Sequence, residues 1–492
     1  MGKKYSNYLL ITLMLILAAL PFLIQLPQIY LKNKTFLGFI DHPRYMAQAE
    51  FIRYRFIHPW ATQDKGLIGD PNLGSTPLNL FIGFISILTG IDVVILVFLA
   101  QITGTFLFLY GAKKLIDAFD VENALYAFLL LILTPGIGGI ARALFSKNHA
   151  VWVNIGTAYS PHESLAIGFG LLVISFLVKN QTIKSTLIAT LMLSLSVLIH
   201  PTTGLILLGL SLVYLIIEKR KLSQFTIMIA LLAAIPWMIF TRKYNGFSFG
   251  ICDYVSVSNL VLHIGGWILN FGHLFLLSLI PFWRVYTKSE KGTIKLDFIN
   301  LWIIVFLLFS LSPETKYAIM KDVYFYLLLT IPLSLRAAQG IRIIEENLFI
   351  PAQIILIILI IFSIPSLYYI YVVTDDKVNL FDEDVSNALI ALREYPMGVA
   401  FGPIDIAHAI PVLGIKRTLW EENIIDIKGC NKLMTEYQEI NDPNVSQKEK
   451  EKILKQYGVG YFITELSTRP YDSMKLLYNT ERWYVYKVDL SN

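Results

Sequence analysis

Long apolar runs separated by short polar loops form most of this chain. The runs of membrane-spanning length cover residues 8–26, 92–112, 121–141, 163–178, 184–199, 202–217, 223–241, 258–283, 298–312, 322–340 and 350–373. Because a helix needs roughly 20 apolar residues to cross a bilayer core, this pattern predicts an α-helical polytopic membrane protein with about eleven transmembrane helices. The run 78–89 has only about twelve residues and is followed by Gly90, which favours a re-entrant or interfacial helix.

The composition agrees with this fold class. Of the 492 residues, 55% are hydrophobic and 16% are charged. The mean hydropathy of +0.58 is far too apolar for a soluble chain of this size. The first run follows Lys3 and Lys4 and lacks the small-residue cleavage site of a signal peptide, so we interpret it as a retained helix.

Polar and charged residues return after the last apolar run. We therefore divide the chain into a transmembrane domain, residues 1–373, and a small soluble α/β domain, residues 374–492. Within the second domain, the sequence predicts strands at 398–401, 461–464 and 483–488 and helices at 404–413 and 449–457. The transmembrane domain carries one long polar loop, residues 29–77, directly after its first helix.

The distribution of lysine and arginine predicts the orientation of the chain. Short cytoplasmic loops collect these residues. With a cytoplasmic N-terminus, the loops predicted inside hold Lys113, Lys114, Lys179, Lys184, Lys219, Arg220, Lys221, Arg284, Lys288, Lys291, Lys295, Arg336 and Arg342. The loop 29–77 and the C-terminal domain are then extracytoplasmic. The net charge of +5 is modest, so we expect membrane lipid and anionic lipid-linked partners, and no nucleic acid.

The external loop 29–77 concentrates ionisable residues in an otherwise apolar chain. Asp41 precedes a predicted helix, 42–56, with Pro43 in its first turn. The carboxylate could be an N-cap, or a general base that accepts the proton of an attacking hydroxyl or amine. Glu50 and two neighbouring arginines lie on or next to the polar side of this helix, where they could pair with one another or bind a phosphate.

His58, Asp64 and Asp70 follow in a segment rich in glycine and proline, which indicates an ordered set of turns. The two aspartates are candidates for a divalent cation, but an oxygen-ligand signature such as an EF-hand loop is missing from this sequence. A cation is therefore left open, and no other cofactor is predicted. Cys252 and Cys430 lack the spacing of a zinc site, and they form either one bridge or two free thiols.

Further candidates for substrate binding lie in the other predicted external loops. Basic side chains there could neutralise a departing phosphate, and snorkelling at the interface is the alternative. They are Arg142, Lys147, Arg242, Lys243, Lys316 and Lys321. His162, Glu163 and His200 stand at the external ends of two predicted spans, where they could cap or pack a helix or bind substrate.

Three features of the N-terminal hundred residues together resemble a known superfamily. They are a short N-terminal span, an external Asp41 followed by Tyr45 and Ala47 on a helix, and the sequence Gly74-Ser75-Thr76-Pro77-Leu78-Asn79-Leu80 before an apolar helix. This arrangement resembles the GT-C superfamily of polytopic glycosyltransferases, which includes protein O-mannosyltransferases and lipid A aminoarabinose transferases. The rest of the chain is similar to that superfamily only in layout.

The resemblance implies a catalytic acidic residue in the first external loop and a polyprenyl-phosphate sugar as donor. It points to Asp41 as the catalytic base, and we take His42, Arg44, Tyr45 and His58 as neighbouring candidates for substrate binding. The chain differs from many relatives in having His42 where they have a second acidic residue, and one proline where they have a pair. It also lacks a WWDxG-type motif, which argues against an oligosaccharyltransferase.

The leading hypothesis is therefore an inverting membrane glycosyltransferase of the cell envelope. It would transfer a sugar from a polyprenyl-phosphate donor to an extracytoplasmic protein, lipid or glycan acceptor. One alternative is a lipid-linked sugar transporter or flippase, although the spans carry few internal charges and show no clear inverted repeat. The other is a non-catalytic envelope protein with the same layout.

Overall fold

The fold is described by a computed structural model. It describes residues 2–39, 42–55, 76–120, 122–133, 161–179, 182–217, 271–288, 297–310, 322–368, 378–407, 409–418, 430–442, 444–465 and 473–489.

Most of the described residues up to 368 are helical, as the apolar runs predict. The helices are α1 (Gly2–Leu31), α2 (His42–Arg55), α3 (Thr76–Thr89), α4 (Val93–Phe119), α5 (Ala124–Ile132), α6 (Pro161–Lys179), α7 (Ile183–Ile199), α8 (Pro201–Ile217), α9 (His273–Lys288), α10 (Phe298–Ser310), α11 (Asp322–Leu348) and α12 (Ala352–Tyr368). All but α2 begin or end within a few residues of a predicted run or lie inside one.

Three of these helices are long and apolar enough to cross a membrane: Tyr8–Leu31 within α1, Val93–Phe119 and Pro161–Lys179. Further apolar helices among the described residues are shorter than a full span. Apolar side chains on these helices are exposed, for example Leu9 on α1 by 73% and Ile361 on α12 by 60%. Such a surface is compatible with contact to lipid. The count of about eleven crossings stays a prediction, because residues 218–250, among others, lie outside the described part.

Close contacts at glycine residues show that helices α4 and α6 run in the same direction. A Cβ atom on Gly104 of α4 would lie 2.9 Å from the Ser164 Cβ atom of α6, and one on Gly111 would lie 2.8 Å from the Gly168 carbonyl oxygen. The positions rise together along both helices, so α4 and α6 run parallel. Small residues at such contacts let two backbones approach closely, which is how helices pack in a membrane.

The chain divides into two compact units. Unit 1 comprises residues 1–24, 100–238 and 255–375, and unit 2 comprises 25–99, 239–254 and 376–492. Unit 1 contains the main buried cluster of apolar side chains, which includes Phe108, Leu171 and Trp302. Unit 2 combines the polar loop after α1 with the C-terminal residues.

The first loop and the C-terminal residues of unit 2 are joined by strand pairing. Strand β1 (Thr35–Phe39) pairs antiparallel with β2 (Val378–Phe381), with Thr35 opposite Phe381. The Lys34 Nζ atom lies 3.6 Å from a carboxylate oxygen of Asp382, beside this pairing. Because this two-stranded sheet is small, its stability depends on packing against other elements of unit 2.

A five-stranded mixed sheet forms the core of the C-terminal residues. Its strands are β3 (Val399–Phe401), β4 (Arg417–Thr418), β5 (Val459–Glu465), β6 (Met474–Asn479) and β7 (Trp483–Val488), in the order β4-β3-β5-β7-β6. Strand β3 is parallel to β4 and β5, and β7 is antiparallel to β5 and β6. Helices α13 (Glu383–Ala391), α14 (Ile404–Ala407), α15 (Cys430–Asn441) and α16 (Gln447–Gln456) complete the α/β arrangement.

One helix predicted in this region is interrupted. The sequence predicts a continuous helix over 404–413, whereas the structure has α14 followed by a π-helical turn, Ile410–Gly414, which we call the π-turn. Pro411 lies inside that turn and lacks the N–H group that a regular α-helix would use. The π-turn ends at Ile415, whose φ of 51° is left-handed.

Candidate functional site

Helix α2 of unit 2 follows Asp41 directly and buries one polar and one charged side chain together with apolar ones. His42 is fully buried, Tyr45 is 8% exposed and Glu50 is 1% exposed. Met46 and Ala49 complete the same face and are also fully buried. Relative to His42 these residues stand at i+3, i+4, i+7 and i+8, which is the spacing of one helical stripe.

The burial of Glu50 corrects the sequence interpretation. Glu50 was expected on or next to the polar side of α2, yet it shares the buried face with His42. The signal was present in the sequence, since residue 50 is two helical turns after residue 42, but an acidic side chain at that position is ordinarily assigned to solvent. Arg53 is only partly exposed, at 27% of its side chain, and its Nη1 atom lies 3.8 Å from Glu50 Oε1.

The environment of Glu50 disfavours its charged form. Among the described residues, its Oε2 atom has no hydrogen-bond partner. Burial raises the pKa of Glu50 to about 7, and Asp92 adds to this, while the positive charges of Arg53 and Arg393 act in the opposite direction. A carboxyl group with a pKa close to neutrality, in a loop already rich in ionisable groups, is a candidate functional group.

Three elements of unit 2 pack against α2: helix α3, strand β1 and the π-turn. The π-turn is held from behind by two basic side chains. Arg393 Nε donates to the Leu413 carbonyl oxygen at 2.6 Å, and the Lys416 Nζ atom donates to the carbonyl oxygens of Leu392 at 2.6 Å and Tyr395 at 3.1 Å. The Lys416 Nζ atom also donates to the Gly414 carbonyl oxygen at 3.4 Å, so both basic side chains bond to carbonyl groups of the π-turn.

Aromatic rings surround the start of α2. The rings of Phe36 on β1 and Phe98 on α4 lie 5.3 Å apart between centroids. The His42 ring lies 6.2 Å from the same Phe98 ring. These contacts hold the His42 imidazole against aromatic rings at the start of α2, next to residue 41. On α3, Asn79 is also fully buried, four residues after the predicted Gly74–Ser75 turn.

In unit 1, His162 and Glu163 occupy the first turn of α6. His162 is fully buried and Glu163 is 8% exposed. The next residue, Ser164, accepts a hydrogen bond from the Gln101 Nε2 atom at 3.3 Å, and Gln101 also donates to Thr105 Oγ1 at 3.1 Å. Buried polar groups therefore cluster at the end of unit 1 where α4 and α6 begin, and polar groups buried in an apolar bundle are functional candidates.

His200 has a structural contact. Its Nδ1 atom accepts a hydrogen bond from the backbone N–H of Thr203 at 3.3 Å, so the imidazole caps the first turn of α8. Capping was one of the readings that the sequence left open for this residue. Ser196, one turn earlier on α7, donates to the Ala166 carbonyl oxygen at 2.8 Å, so His200 lies at the same end of unit 1 as His162.

The opposite end of unit 1 carries a network of basic and amide side chains. Arg336 Nε donates to Asn300 Oδ1 at 2.9 Å and its guanidinium pairs with Asp297. Arg342 Nε donates to Asn123 Oδ1 at 3.1 Å, next to the end of α4. Arg336 and Arg342 belong to the set predicted inside, and His162 and Glu163 belong to the set predicted outside. Among the described residues, the network reaches Asn123 just after α4 ends, whereas Ser164, next to His162 and Glu163, contacts Gln101 in the first half of α4.

Several predicted site residues lie outside the described residues. They are the proposed base Asp41, His58, Arg142, Lys147, Arg242, Lys243, Lys316 and Lys321, the metal candidates Asp64 and Asp70, and Cys252. Arg44 belongs to α2, but only its backbone is described. Of the rest, His42 and Tyr45 are brought together in unit 2, and His162, Glu163 and His200 in unit 1.

Searched for metal ligands, the described part of the chain contains no group of three or more His, Cys, Asp or Glu side chains that could hold a metal ion. The two metal candidates, Asp64 and Asp70, lie outside that part of the chain.

The arrangement is similar to three solved membrane transferases. The apo oligosaccharyltransferase of Archaeoglobus fulgidus has a TM-score of 0.57 and 12% identity, over 94% of this chain and 70% of that chain. ArnT of Cupriavidus metallidurans in the apo state has a TM-score of 0.58 and 13% identity, over 99% and 98%. The mycobacterial arabinofuranosyltransferase AftD has a TM-score of 0.59 and 11% identity, over 97% and 40%.

No protein-family model and no curated protein matches the chain in sequence. At 11–14% identity the structural similarity is one of fold. The chain has the fold of the GT-C glycosyltransferases, as the N-terminal resemblance implied. Its three helices of spanning length and composition indicate an integral membrane protein.

Proposed function

We propose that this protein is an inverting membrane glycosyltransferase that uses a polyprenyl-phosphate sugar as donor and an extracytoplasmic acceptor. The observation that carries the proposal is the GT-C fold in a chain whose first external loop places a carboxylate, Asp41, directly before the partly polar buried face of α2. The structure of ArnT from Cupriavidus metallidurans bound to undecaprenyl phosphate has a TM-score of 0.55 to this chain, which supports a lipid-phosphate donor.

The proposed reaction is a single displacement at the anomeric carbon. The acceptor hydroxyl or amine attacks that carbon as the bond to the lipid-phosphate oxygen breaks, and its proton passes to the Asp41 carboxylate. The phosphate leaves with the bonding electrons and needs positive charge nearby. The candidates for that charge are the basic loops at 142–147, 242–243 and 316–321. His42, Arg44, Tyr45 and His58 would line the donor or acceptor site beside the base.

The orientation is part of the proposal. We place the N-terminus in the cytoplasm and the α2 loop and C-terminal domain outside. In support, the arginine network of unit 1 and the His162 cluster lie at opposite ends of the same helices, as the positive-inside rule requires. We further propose that the transmembrane domain ends at residue 373 and that the soluble domain begins at residue 374. His162 and Glu163 are proposed to contact the substrate.

The test is transfer of radiolabelled mannose or glucose from dolichyl- and undecaprenyl-phosphate donors in membranes that contain equal amounts of each protein. Asp41→Asn should lower transfer by about a hundredfold or more, since general bases contribute roughly 10²–10⁴ in rate. Asp405→Asn, at an exposed position of the C-terminal domain, is the matched control and should retain wild-type rates.

Four results would contradict parts of the proposal. Full transfer by Asp41→Asn would remove Asp41 as the base. Absence of transfer by the wild type with every donor, together with movement of a lipid-linked sugar across vesicles, would favour the transporter or flippase alternative. Binding of such lipids without either reaction would favour the non-catalytic envelope protein. A product that retains the anomeric configuration of the donor would exclude the inverting mechanism.

A further inference from the structure

Glu50 is a buried carboxyl group that the proposed chemistry does not use. It is 1% exposed on α2, a helix that packs against the π-turn, α3 and β1, and those three elements carry no charged residue. The charged groups that act on it are Arg53 from its own helix, Asp92 beside the start of α4, and Arg393 behind the π-turn. No described hydrogen bond reaches its Oε2 atom.

These surroundings tolerate a neutral carboxylic acid better than a carboxylate. Among the described side chains, the nearest positive charge is that of Arg53, whose Nη1 atom lies 3.8 Å from Oε1, beyond hydrogen-bond distance. Burial removes the hydration free energy of a carboxylate, and the attraction of one distant positive charge does not compensate for that loss when the carboxylate forms no hydrogen bond. The neutral acid avoids most of that cost, and the raised pKa of about 7 is the result.

We propose that Glu50 is a positioning residue: as a neutral acid it completes the packing of α2 against the π-turn, and its ionisation releases α2 from that turn. The consequence for activity rests on the proposed function, because α2 begins at the residue after Asp41. Release of the helix would let the candidate base move away from its reacting position, and small displacements of such a group lower rates strongly.

The size of the expected pH effect on the release of α2 follows from the linkage between proton binding and conformation. If Glu50 has a pKa near 7 in the packed state and its ordinary value of 4.5 when α2 is released, ionisation favours the released state. Between pH 6 and pH 8 the equilibrium constant for release should then rise about tenfold. A side chain that cannot ionise should remove this pH dependence altogether.

The first test is hydrogen–deuterium exchange of the α2 amides in the full-length protein in lipid nanodiscs, corrected for the intrinsic pH dependence of exchange. Wild-type α2 should exchange about ten times faster at pH 8 than at pH 6. Glu50→Gln, which copies the neutral acid, should show no such rise, whereas Glu481→Gln, an exposed carboxyl in a turn, should behave as the wild type. An equal rise in Glu50→Gln, or a flat wild-type profile, would overturn the proposal.

The second test compares transfer rates over the same pH range with a polyprenyl-phosphate sugar that the wild type accepts. The wild-type rate should fall relative to that of Glu50→Gln as the pH rises through 7, and Glu50→Asp should keep a pH-dependent profile. Identical profiles for wild type and Glu50→Gln would refute the positioning role. If the wild type transfers no sugar, the proposed function fails, and the exchange experiment still decides whether Glu50 controls α2.

Discussion

The contact between α4 and α6 gives the most direct test of the helix packing. A Cβ atom added to Gly168 would lie 2.7 Å from the Leu107 carbonyl carbon and 2.8 Å from the Phe108 nitrogen. Both neighbours are backbone atoms, so they cannot move aside as a flexible side chain would. Gly209 on α8 is exposed and has no atom within 4 Å of the same added carbon.

The two positions allow the steric cost to be separated from helix propensity. Ordinary contact begins at 3.4 Å, so alanine at position 168 requires α4 and α6 to separate by about 0.7 Å. Overpacking of this kind costs about 1–3 kcal/mol. Replacing glycine by alanine inside a helix also gains up to about 1 kcal/mol, and this gain applies equally at 209. The difference between the two variants should therefore be about 1–3 kcal/mol, with Gly168→Ala the less stable.

The measurement is thermal unfolding of each purified variant in one detergent, followed by the fluorescence of the eight tryptophans. Gly168→Ala should unfold several degrees below the wild type, and Gly209→Ala at or slightly above it. Gly168→Ala should also lower sugar transfer, because α6 begins with His162 and Glu163. Equal unfolding temperatures for the two variants would show that α4 and α6 do not make this contact.

Two further predictions concern charged groups of unit 2. The pKa of Glu50 in the folded protein is raised above 4.5, so the wild-type unfolding free energy should fall by up to about 3 kcal/mol as the pH rises from about 4.5 through 7. Thermal scans at pH 5 and pH 8 should therefore find that Glu50→Gln is more stable than the wild type only at pH 8. If Glu50→Gln is instead less stable at pH 8, the carboxylate makes an ion pair that the fold needs. Lys416→Met should cost about 1–3 kcal/mol in the same scans, because it removes the hydrogen bonds from the Lys416 ammonium group to the Leu392 and Tyr395 carbonyl oxygens, whereas Lys452→Met, at an exposed position of α16, should cost little.

The membrane helices could be predicted from sequence because the bilayer imposes one strong requirement. A spanning helix must be apolar along its length, so the run 163–178 closely matches α6, Pro161–Lys179. The ends are less predictable, since a helix can continue past the apolar run. Helix α4 extends to Phe119, well beyond the predicted end at 112, and Lys113 pairs with Asp117 on its last turns.

The C-terminal domain was predicted only in part, because its elements depend on tertiary contacts. Strands β3, β5 and β7 were predicted, and they are mostly buried with strong apolar patterns. Strand β6 was missed, since it is an edge strand with mostly exposed or half-buried residues and no clear alternation. The helix predicted over 404–413 failed at Pro411, where the missing N–H group permits a π-turn instead.

The burial of Glu50 in α2 depends on contacts with residues far away in the sequence. The sequence could place a helix after Asp41, and α2 indeed covers His42–Arg55. It could not show that Glu50 faces inward, because the surface that covers α2 includes the π-turn, whose residues follow more than three hundred positions later. The register of β1 with β2 has the same long-range origin. Pattern within a helix gives its faces, but only the fold decides which face is buried.

Because burial raises the pKa of Glu50, we expect a carboxyl group at this position to make the folded protein less stable near neutral pH than a glutamine would. A cost of that kind, placed in the helix beside the candidate base, is more readily explained by function than by folding. Strand pairing and the Lys34–Asp382 ion pair already join the loop to the C-terminal residues without Glu50. What Glu50 adds is dependence on protonation, so the packing of α2 should respond to pH close to 7.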